Sequence, residues 1–133
     1  MENYQLINRI DIAQDDDGNS VIILKSENDK VLIISIGETE AHSIFLALNE
    51  KKYERPLTHD LLKTVLQAFK CKVEKVFITK LEKNVYYAIM RLSSEDGKQI
   101  FHIDCRPSDA VAVGIRFNAL VFVNDTLLND MQI

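Results

Sequence analysis

The hydrophobic period changes several times along the chain, and these changes limit the folds that the sequence can adopt. Alternating apolar and polar residues are typical of strands, whereas apolar residues spaced three and four apart are typical of helices. The alternating segments come in blocks, with helical segments between the blocks. The predicted strands run from Tyr4 to Ile12, Val21 to Lys25, Val31 to Ile36, Val73 to Leu81, Val85 to Leu92, Gln99 to Cys105 and Leu120 to Val123.

Three helices are predicted between these strands. The first begins just after Gly37, with the apolar stripe Ala41, Ile44, Phe45 and Leu48. The second follows an N-cap at Thr58 and has the stripe Leu61, Leu62, Val65, Leu66 and Phe69. The third opens at Pro107 and Ser108 and ends near Phe117. Residues 125–133 are expected to form a last helical turn or to remain loose.

Blocks of strands and helices favour an α+β fold over a doubly wound one. We predict one compact domain over residues 1–133, with a largely antiparallel or mixed sheet of about seven strands and three main helices. A length of 133 residues is close to the commonest domain size. The short turns between most of the strands also support antiparallel pairing.

Composition narrows the cellular setting. Hydrophobic residues make up 47% and charged residues 27% of the chain, which is ordinary for a globular protein. No apolar run approaches the roughly 18–20 residues that a membrane helix needs, and the N-terminus lacks the basic start and apolar centre of a signal peptide. Cys71 and Cys105 lie far apart, as expected for reduced thiols. We therefore expect a cytoplasmic protein without membrane contact.

The charges are unevenly distributed. The formal net charge is −4, which argues against a strongly basic nucleic-acid binder. Residues 51–83, however, hold nine lysines and arginines and only four acidic residues. If these basic side chains converge on one face, they can attract phosphates, and we predict a weak contact with nucleic acid there. The alternative is a solvated lysine surface.

Three polar segments coincide with helix starts, whereas the common catalytic motifs (GxSxG, Walker, GxGxxG and HExxH) are absent. The first segment contains Glu38 and Glu40, the second runs from Arg55 to Leu61, and the third runs from Ile103 to Val111. Acidic residues in a first turn complement the helix dipole, so a structural explanation exists for each segment. The functional explanation is that helix starts and strand ends converge on one site, where free N–H groups also favour anions.

The residue types in these segments suit phosphate chemistry. Imidazole can transfer protons near neutral pH, carboxylates are hard ligands for divalent cations, and arginine can grip a phosphate. In the structural alternative, Thr58 and Ser108 cap their helices. An ion pair between Asp104 and Arg106, or between Asp109 and Arg55, then holds the third junction rigid.

Together the segments resemble the bifunctional nuclease domain, a family long carried as a bacterial and plant domain of unknown function. The resemblance rests on Ile36-Gly37-x-x-Glu40-Ala41, on Arg55-Pro56-x-Thr58-His59-Asp60-Leu61 and on Asp104-x-Arg106-Pro107-Ser108-Asp109-Ala110. It covers about residues 4–128, and the Arg-Pro-Ser-Asp-Ala segment is its most specific part.

The resemblance implies an α+β domain with nuclease activity on DNA and RNA. The predicted catalytic residues are Glu40, His59, Asp60, Asp104 and Asp109. The predicted ligands of Mg²⁺ or Mn²⁺ are Glu40, Asp60, Asp104 and Asp109, with His59 as general acid or base. The predicted substrate-binding residues are Arg55, Arg106 and Ser108. The alternative is a non-catalytic binding or assembly module, in which the same residues form a saturated structural ion-pair network.

Self-association is also predicted. The segments Val21–Leu24 and Val31–Ile34 are apolar on both faces, and a strand of that kind needs cover on each side. Because the helices can cover one face of the sheet, a second copy is expected to cover the other. A dimer is the default and a trimer the alternative. The competing explanation is that residues 1–20 fold back over that face.

Overall fold

A computed structural model describes residues 3–131, and this range contains three α-helices and an eight-stranded sheet. The strands are β1 (Tyr4–Gln14), β2 (Ser20–Ser26), β3 (Lys30–Ser35), β4 (Cys71–Glu82), β5 (Val85–Ser94), β6 (Ile100–Cys105), β7 (Leu120–Asn124) and β8 (Asn129–Asp130). The helices are α1 (Glu38–Leu48), α2 (Thr58–Ala68) and α3 (Pro107–Arg116), and a 3₁₀ turn covers Asp125–Leu127. The predicted α+β fold is confirmed.

The strand order in the sheet is β6-β5-β4-β7-β1-β2-β3-β8. β4 and β7 are parallel, and the other six neighbouring pairs are antiparallel. The parallel pair arises because α3 carries the chain from the edge strand β6 back to the centre of the sheet. Two residues that the sequence left in a helical turn or a loose tail instead form β8, which pairs with the edge of β3.

Local chemistry sets the tight turns between antiparallel strands. Lys83 and Asn84 both have positive φ angles, 52° and 64°, as a two-residue turn of type I′ requires between β4 and β5. In the turn before β2, one carboxylate oxygen of Asp15 accepts hydrogen bonds from the backbone N–H groups of Asp17 (3.0 Å) and Asn19 (2.9 Å). These turns fix the registers of the adjoining hairpins.

The core lies between one face of the sheet and the helices α1 and α3. The largest fully buried side chains are Ile22, Leu24, Ile44, Val73, Val76, Ile78, Val111, Val113 and Val123. α3 is central, and a Cβ atom added to Gly114 would lie only 2.8 Å from Cγ2 of Val76. Glycine therefore permits the close approach of α3 to β4. None of the helices within residues 3–131 is long and apolar enough to span a bilayer.

α2 departs from the sequence prediction at its start. Leu57, not Thr58, occupies the N-cap position, and no side chain of the N-cap residue makes a capping hydrogen bond. The carboxylate of Asp60 instead accepts a hydrogen bond from the backbone N–H of Leu57 at 2.9 Å. The predicted Thr58 cap is therefore wrong, because the Asp60 carboxylate satisfies the terminal N–H group that the Thr58 hydroxyl was expected to reach.

The apolar stripe of α2 was predicted to face the core, and the structure turns most of it outward. His59 is the buried residue of this helix, while Leu66 is half-buried. The exposed fractions are 54% for Leu61, 40% for Leu62, 42% for Val65 and 77% for Phe69. Hydrogen bonds that His59 and Asp60 make to α1 and α3 set the rotation of the helix.

Candidate active site

Seven polar side chains form a continuous network where the three helices meet. In the order of their contacts they are Glu40, Arg106, Asp109, His59, Ser43, Arg116 and Asp60. α1 contributes two of them one turn apart, α2 contributes two neighbours, and α3 with its N-cap contributes three. The network therefore joins all three helices through side-chain contacts.

The outer end of the network is open to solvent. Nε and Nη2 of Arg106 donate to the two carboxylate oxygens of Asp109 at 2.9 and 3.1 Å, a bidentate pair. Nη2 of Arg106 also lies 3.6 Å from Oε2 of Glu40. The Arg106 side chain is 65% exposed, against 22% for Glu40 and 27% for Asp109. Within residues 3–131, Nη1 of Arg106 has no hydrogen-bond partner and can meet a ligand.

The bidentate contact shifts the pKa of both partners in the directions expected for an ion pair. The hydrogen bond to Asp109, followed by its charge, raises the pKa of the Arg106 guanidinium. Burial alone would raise the pKa of the Asp109 carboxyl. Hydrogen bonds from Arg106 and His59 outweigh that effect, so the pKa of Asp109 lies below its usual value. At neutral pH Asp109 is therefore a carboxylate that holds Arg106 in place.

His59 is buried in the middle of the network, and both ring nitrogens have partners. Nδ1 lies 2.6 Å from Oγ of Ser43, and Nε2 lies 2.9 Å from a carboxylate oxygen of Asp109. Because Oγ of Ser43 accepts a hydrogen bond from Nη2 of Arg116 at 3.1 Å, its own proton can be donated to Nδ1 of His59. The Nε2–H group then donates to Asp109, which fixes the ring tautomer.

Ser43, His59 and Asp109 have the composition of a catalytic triad, but the arrangement does not suit nucleophilic attack. Ser43 is 5% exposed and lies on the inner side of the imidazole, away from solvent. Its hydroxyl therefore orients His59.

The inner end of the network is centred on Arg116, whose side chain is only 7% exposed. It donates to Oδ1 of Asp60 at 2.7 Å, to the carbonyl oxygen of Ala112 at 2.8 Å and to that of Ser43 at 3.3 Å. Partial burial would raise the pKa of the Asp60 carboxyl, but hydrogen bonds from Arg116 and from the Leu57 backbone lower it below the usual value. This half of the network fastens the helices to one another.

Of the eight predicted site residues, the network contains Glu40, His59, Asp60, Arg106 and Asp109. Asp104 lies elsewhere. It pairs with Ile89 in β5, whereas the next residue, Cys105, pairs with the fully buried Ala88 of the core. Because side chains alternate along a strand, Asp104 projects from the face of the sheet that the helices do not cover.

Arg55 and Ser108 also stand apart from the network. Arg55 is exposed in the segment between α1 and α2 and makes no ion pair within residues 3–131, so Arg106, not Arg55, is the partner of Asp109. Ser108 is 5% exposed in the first turn of α3. The predicted Ser108 cap is wrong, because Arg106 occupies the N-cap position and no N-cap side chain makes a capping hydrogen bond.

The four predicted metal ligands do not converge in the described part of the chain. Residues 3–131 contain no group of three or more His, Cys, Asp or Glu side chains placed to hold a metal ion. Asp104 is on the other face of the sheet, while Asp60 and Asp109 are each bonded to an arginine. The arrangement does not fit a four-carboxylate site, and the Mg²⁺ or Mn²⁺ requirement stays a prediction.

Sequence reasoning missed two members of the network, Ser43 and Arg116. Their spacing was the available signal. Ser43 follows Glu40 by three residues on α1, and Arg116 follows Asp109 by seven on α3, so each pair shares a helix face.

Cys105 borders the network without joining it. Burial, together with the charge of Asp109, raises the pKa of its thiol to about 12. The thiol therefore stays protonated at neutral pH and does not supply a thiolate nucleophile. Both cysteines of the chain are free.

The predicted basic segment divides between two surfaces. Lys51, Lys52 and Lys63 line a cleft of about 820 Å³ between α1, α2 and the end of α3, and Asp60 and Arg116 also line it. On β4, by contrast, the basic side chains belong to the helix-free face of the sheet, as shown by the pairing of Lys75 with Arg91. The nine basic residues thus do not form one continuous face.

Comparison with known proteins gives a consistent family. A family model described as the bifunctional nuclease domain matches residues 21–133. Bifunctional nuclease 2 of Arabidopsis thaliana is 29% identical over 112 residues, covering 82% of this chain and 34% of the relative. Bifunctional nuclease 1 of Oryza sativa subsp. japonica is 28% identical over 106 residues, covering 77% of this chain and 32% of the relative.

A bacterial relative is also similar. An uncharacterized protein of Mycobacterium tuberculosis (strain ATCC 25618 / H37Rv) is 31% identical over 109 residues, covering 81% of this chain and 63% of the relative. The chain thus spans about a third of the plant relatives and less than two thirds of the mycobacterial one.

Proposed function

Because the chain belongs to the bifunctional nuclease domain family, we propose that it hydrolyses phosphodiester bonds of nucleic acid at the outer end of the network, around Arg106. The observation that carries this proposal is the state of the Arg106 guanidinium. It is 65% exposed, yet the bidentate contact with Asp109 fixes its orientation. Its free Nη1 edge is thus presented to solvent in a defined geometry, as a phosphate-binding group requires.

The residues around Arg106 supply the remaining roles. Arg106 binds the phosphate and stabilises the negative charge that develops on its oxygens. Glu40, 3.6 Å from Arg106, is placed to accept a proton from an attacking water molecule. The water oxygen forms a bond to phosphorus as the bond to the leaving oxygen breaks, and solvent returns a proton to that oxygen. Asp109 and His59 are positioning residues for Arg106.

The cleft beside the inner end of the network offers a path for the rest of the nucleic acid. Lys51, Lys52 and Lys63 are the lysines that line it. Contacts from lysines to phosphates do not depend on base sequence and weaken as salt rises. We therefore expect binding without strong sequence preference and with clear salt dependence.

A second function, that of a non-catalytic binding or assembly module, is favoured by one observation. Arg116, Ser43 and His59 are buried and hydrogen-bonded to each other and to the neighbouring helices, as a structural network would be. In that case the network holds the three helices together and the exposed Arg106 has no role in cleavage.

Two arginine variants separate these functions. Arg106→Gln removes the proposed phosphate-binding group. Arg9→Gln is the matched control, because Arg9 is 68% exposed and also bonded to an aspartate at 2.9 Å, in β1. We expect the cleavage rate of single-stranded DNA and RNA to fall about a hundredfold in Arg106→Gln and to stay within twofold in Arg9→Gln.

The assay uses protein purified in parallel, with Mg²⁺ and again with EDTA, so that a contaminating nuclease is detected as activity common to all samples. Equal cleavage by Arg106→Gln and the wild type refutes the proposal. Absence of cleavage in every sample, combined with salt-dependent binding of the oligonucleotides, favours the non-catalytic module.

A further inference from the structure

One side of the domain has an apolar surface that the chain itself leaves uncovered. An amphipathic helix normally turns its apolar stripe toward a core, but α2 exposes Leu62, Val65 and Phe69 by 40%, 42% and 77%. Exposed apolar groups that adjoin one another mark an interaction surface on a folded domain.

The direction of this stripe follows from the cleft on the opposite side of α2. Asp60, Thr64 and Gln67 line the cleft that separates α2 from α1. On a helix of 3.6 residues per turn, Val65 and Phe69 lie on the other side from those three residues. The stripe therefore faces away from α1. Since α1 packs on β1 and β2, that direction leads toward β6, the strand at the other end of the sheet.

β6 continues the same apolar surface. On the helix side, Phe101 and Ile103 are 41% and 39% exposed, although their partners in β5, Leu92 and Met90, are 6% and 9% exposed. The backbone N–H of Glu95, in the turn that leads to β6, donates to the carbonyl oxygen of Lys70 at the end of α2. β6 is also an edge strand, and no other strand of residues 3–131 pairs with its outer side. An open edge of this kind is a template for strand pairing.

We propose that this surface, formed by the stripe of α2 and the edge strand β6, binds a second copy of the chain. The sequence of β6 is complementary to itself in one antiparallel register, centred on Ile103. Ile103 then lies opposite Ile103, and Phe101 lies opposite Cys105, all on the helix side. On the other side, His102 lies opposite Asp104 twice, so that residues of complementary chemistry face each other across the pair.

The two-fold axis of this dimer passes through Ile103, perpendicular to the sheet. Both sets of helices therefore lie on the same side of a continuous sheet, and the two α2 stripes face each other across the axis. The same patch is used by both subunits, as a closed two-fold interface requires. The exposed apolar stripe and the open edge strand are thus covered together.

Mass measurement tests the surface. Light scattering at micromolar concentration is expected to give twice the 15.2 kDa chain mass for the wild type. Val65→Ser with Phe69→Ser, and separately Ile103→Lys, are expected to raise the dimer dissociation constant at least a hundredfold. The matched control is Ile33→Lys on β3, because Ile33 is 54% exposed on the distant part of the sheet. Circular dichroism verifies that each variant is folded.

Crosslinking tests the register. In the proposed pairing, Ile103→Cys places two thiols directly opposite each other, within the roughly 5 Å Cβ separation of paired antiparallel residues. It is expected to give a disulfide-linked dimer under mild oxidation, whereas His102→Cys, opposite Asp104, is not. A monomeric wild type at 100 µM, or loss of the dimer only in Ile33→Lys, refutes the surface. Equal crosslinking by Ile103→Cys and His102→Cys refutes the register.

Discussion

Replacing Arg116 with alanine is expected to destabilise the fold far more than replacing an exposed arginine that makes a similar ion pair. Arg116 is 7% exposed and bonds to Asp60 at 2.7 Å, to Ser43 and to Ala112. Arg9 bonds to Asp11 at 2.9 Å but is 68% exposed. The two pairs have nearly the same length, so burial is the main difference between them.

The magnitude follows from what the substitution leaves behind. Removing one partner of a buried ion pair costs about 3–5 kcal/mol. The Asp60 side chain is 37% exposed, so water can solvate part of its charge and reduce that cost. We expect Arg116→Ala to lower the free energy of unfolding by about 3 kcal/mol, or Tm by about 10 °C. Arg9→Ala should lower the free energy by less than about 1 kcal/mol, as exposed pairs do.

Urea denaturation followed by circular dichroism measures both variants against the wild type. The midpoint should fall for Arg116→Ala with little change in the slope m, because the surface exposed on unfolding is unchanged. Arg116→Lys, which keeps the charge but not the planar set of donors, is expected to fall between the wild type and Arg116→Ala. If Arg116→Ala and Arg9→Ala lose the same stability, the inner network does not hold the helices together.

Three further predictions concern the glycines and the acidic range. Gly114→Ala should cost about 1–3 kcal/mol of unfolding free energy, because its Cβ would press on Val76, and Val76→Ala in the same chain should recover part of that loss. Gly37→Ala would place a Cβ where Oε1 of Glu40 lies, so cleavage should fall while Tm stays within a few degrees. The lowered pKa of Asp109 means that its contribution to stability is present above about pH 4 and lost as pH falls through the folded-state pKa. Asp109→Asn should therefore lose less stability than the wild type between pH 5 and pH 2 in urea titrations.

Much of the fold could be predicted from hydrophobic period and turn residues, because both are local signals. α2 shows where local signals end. Its apolar period correctly predicts a helix, but the direction of that helix is set by His59 and Asp60, whose partners lie on α1 and α3. No periodicity encodes such a contact. The two residues of β8 were equally unavailable, since their pairing with β3 depends on the finished sheet edge.

The candidate site was predicted in part for a similar reason. Motif residues at the helix starts converge because the three helices pack together at those ends. Asp104 does not join them, since strand alternation turns it away from the helices while Cys105 faces the core. Ser43 and Arg116 were missed because they lie outside the motifs. Their i+3 and i+7 spacing from Glu40 and Asp109 becomes meaningful once the helices are placed.

The most direct test of the account compares Asp109→Asn with Asp104→Asn in the same cleavage assay. Both aspartates belong to the segment that carries the family resemblance, but only Asp109 contacts Arg106, at 2.9 Å, while Asp104 lies on the helix-free face of the sheet. The account predicts that Asp109→Asn lowers the cleavage rate of single-stranded DNA and RNA by at least about tenfold, as loss of a positioning group does. It also predicts that Asp104→Asn retains the wild-type rate. Loss of cleavage in Asp104→Asn with full activity in Asp109→Asn would contradict it.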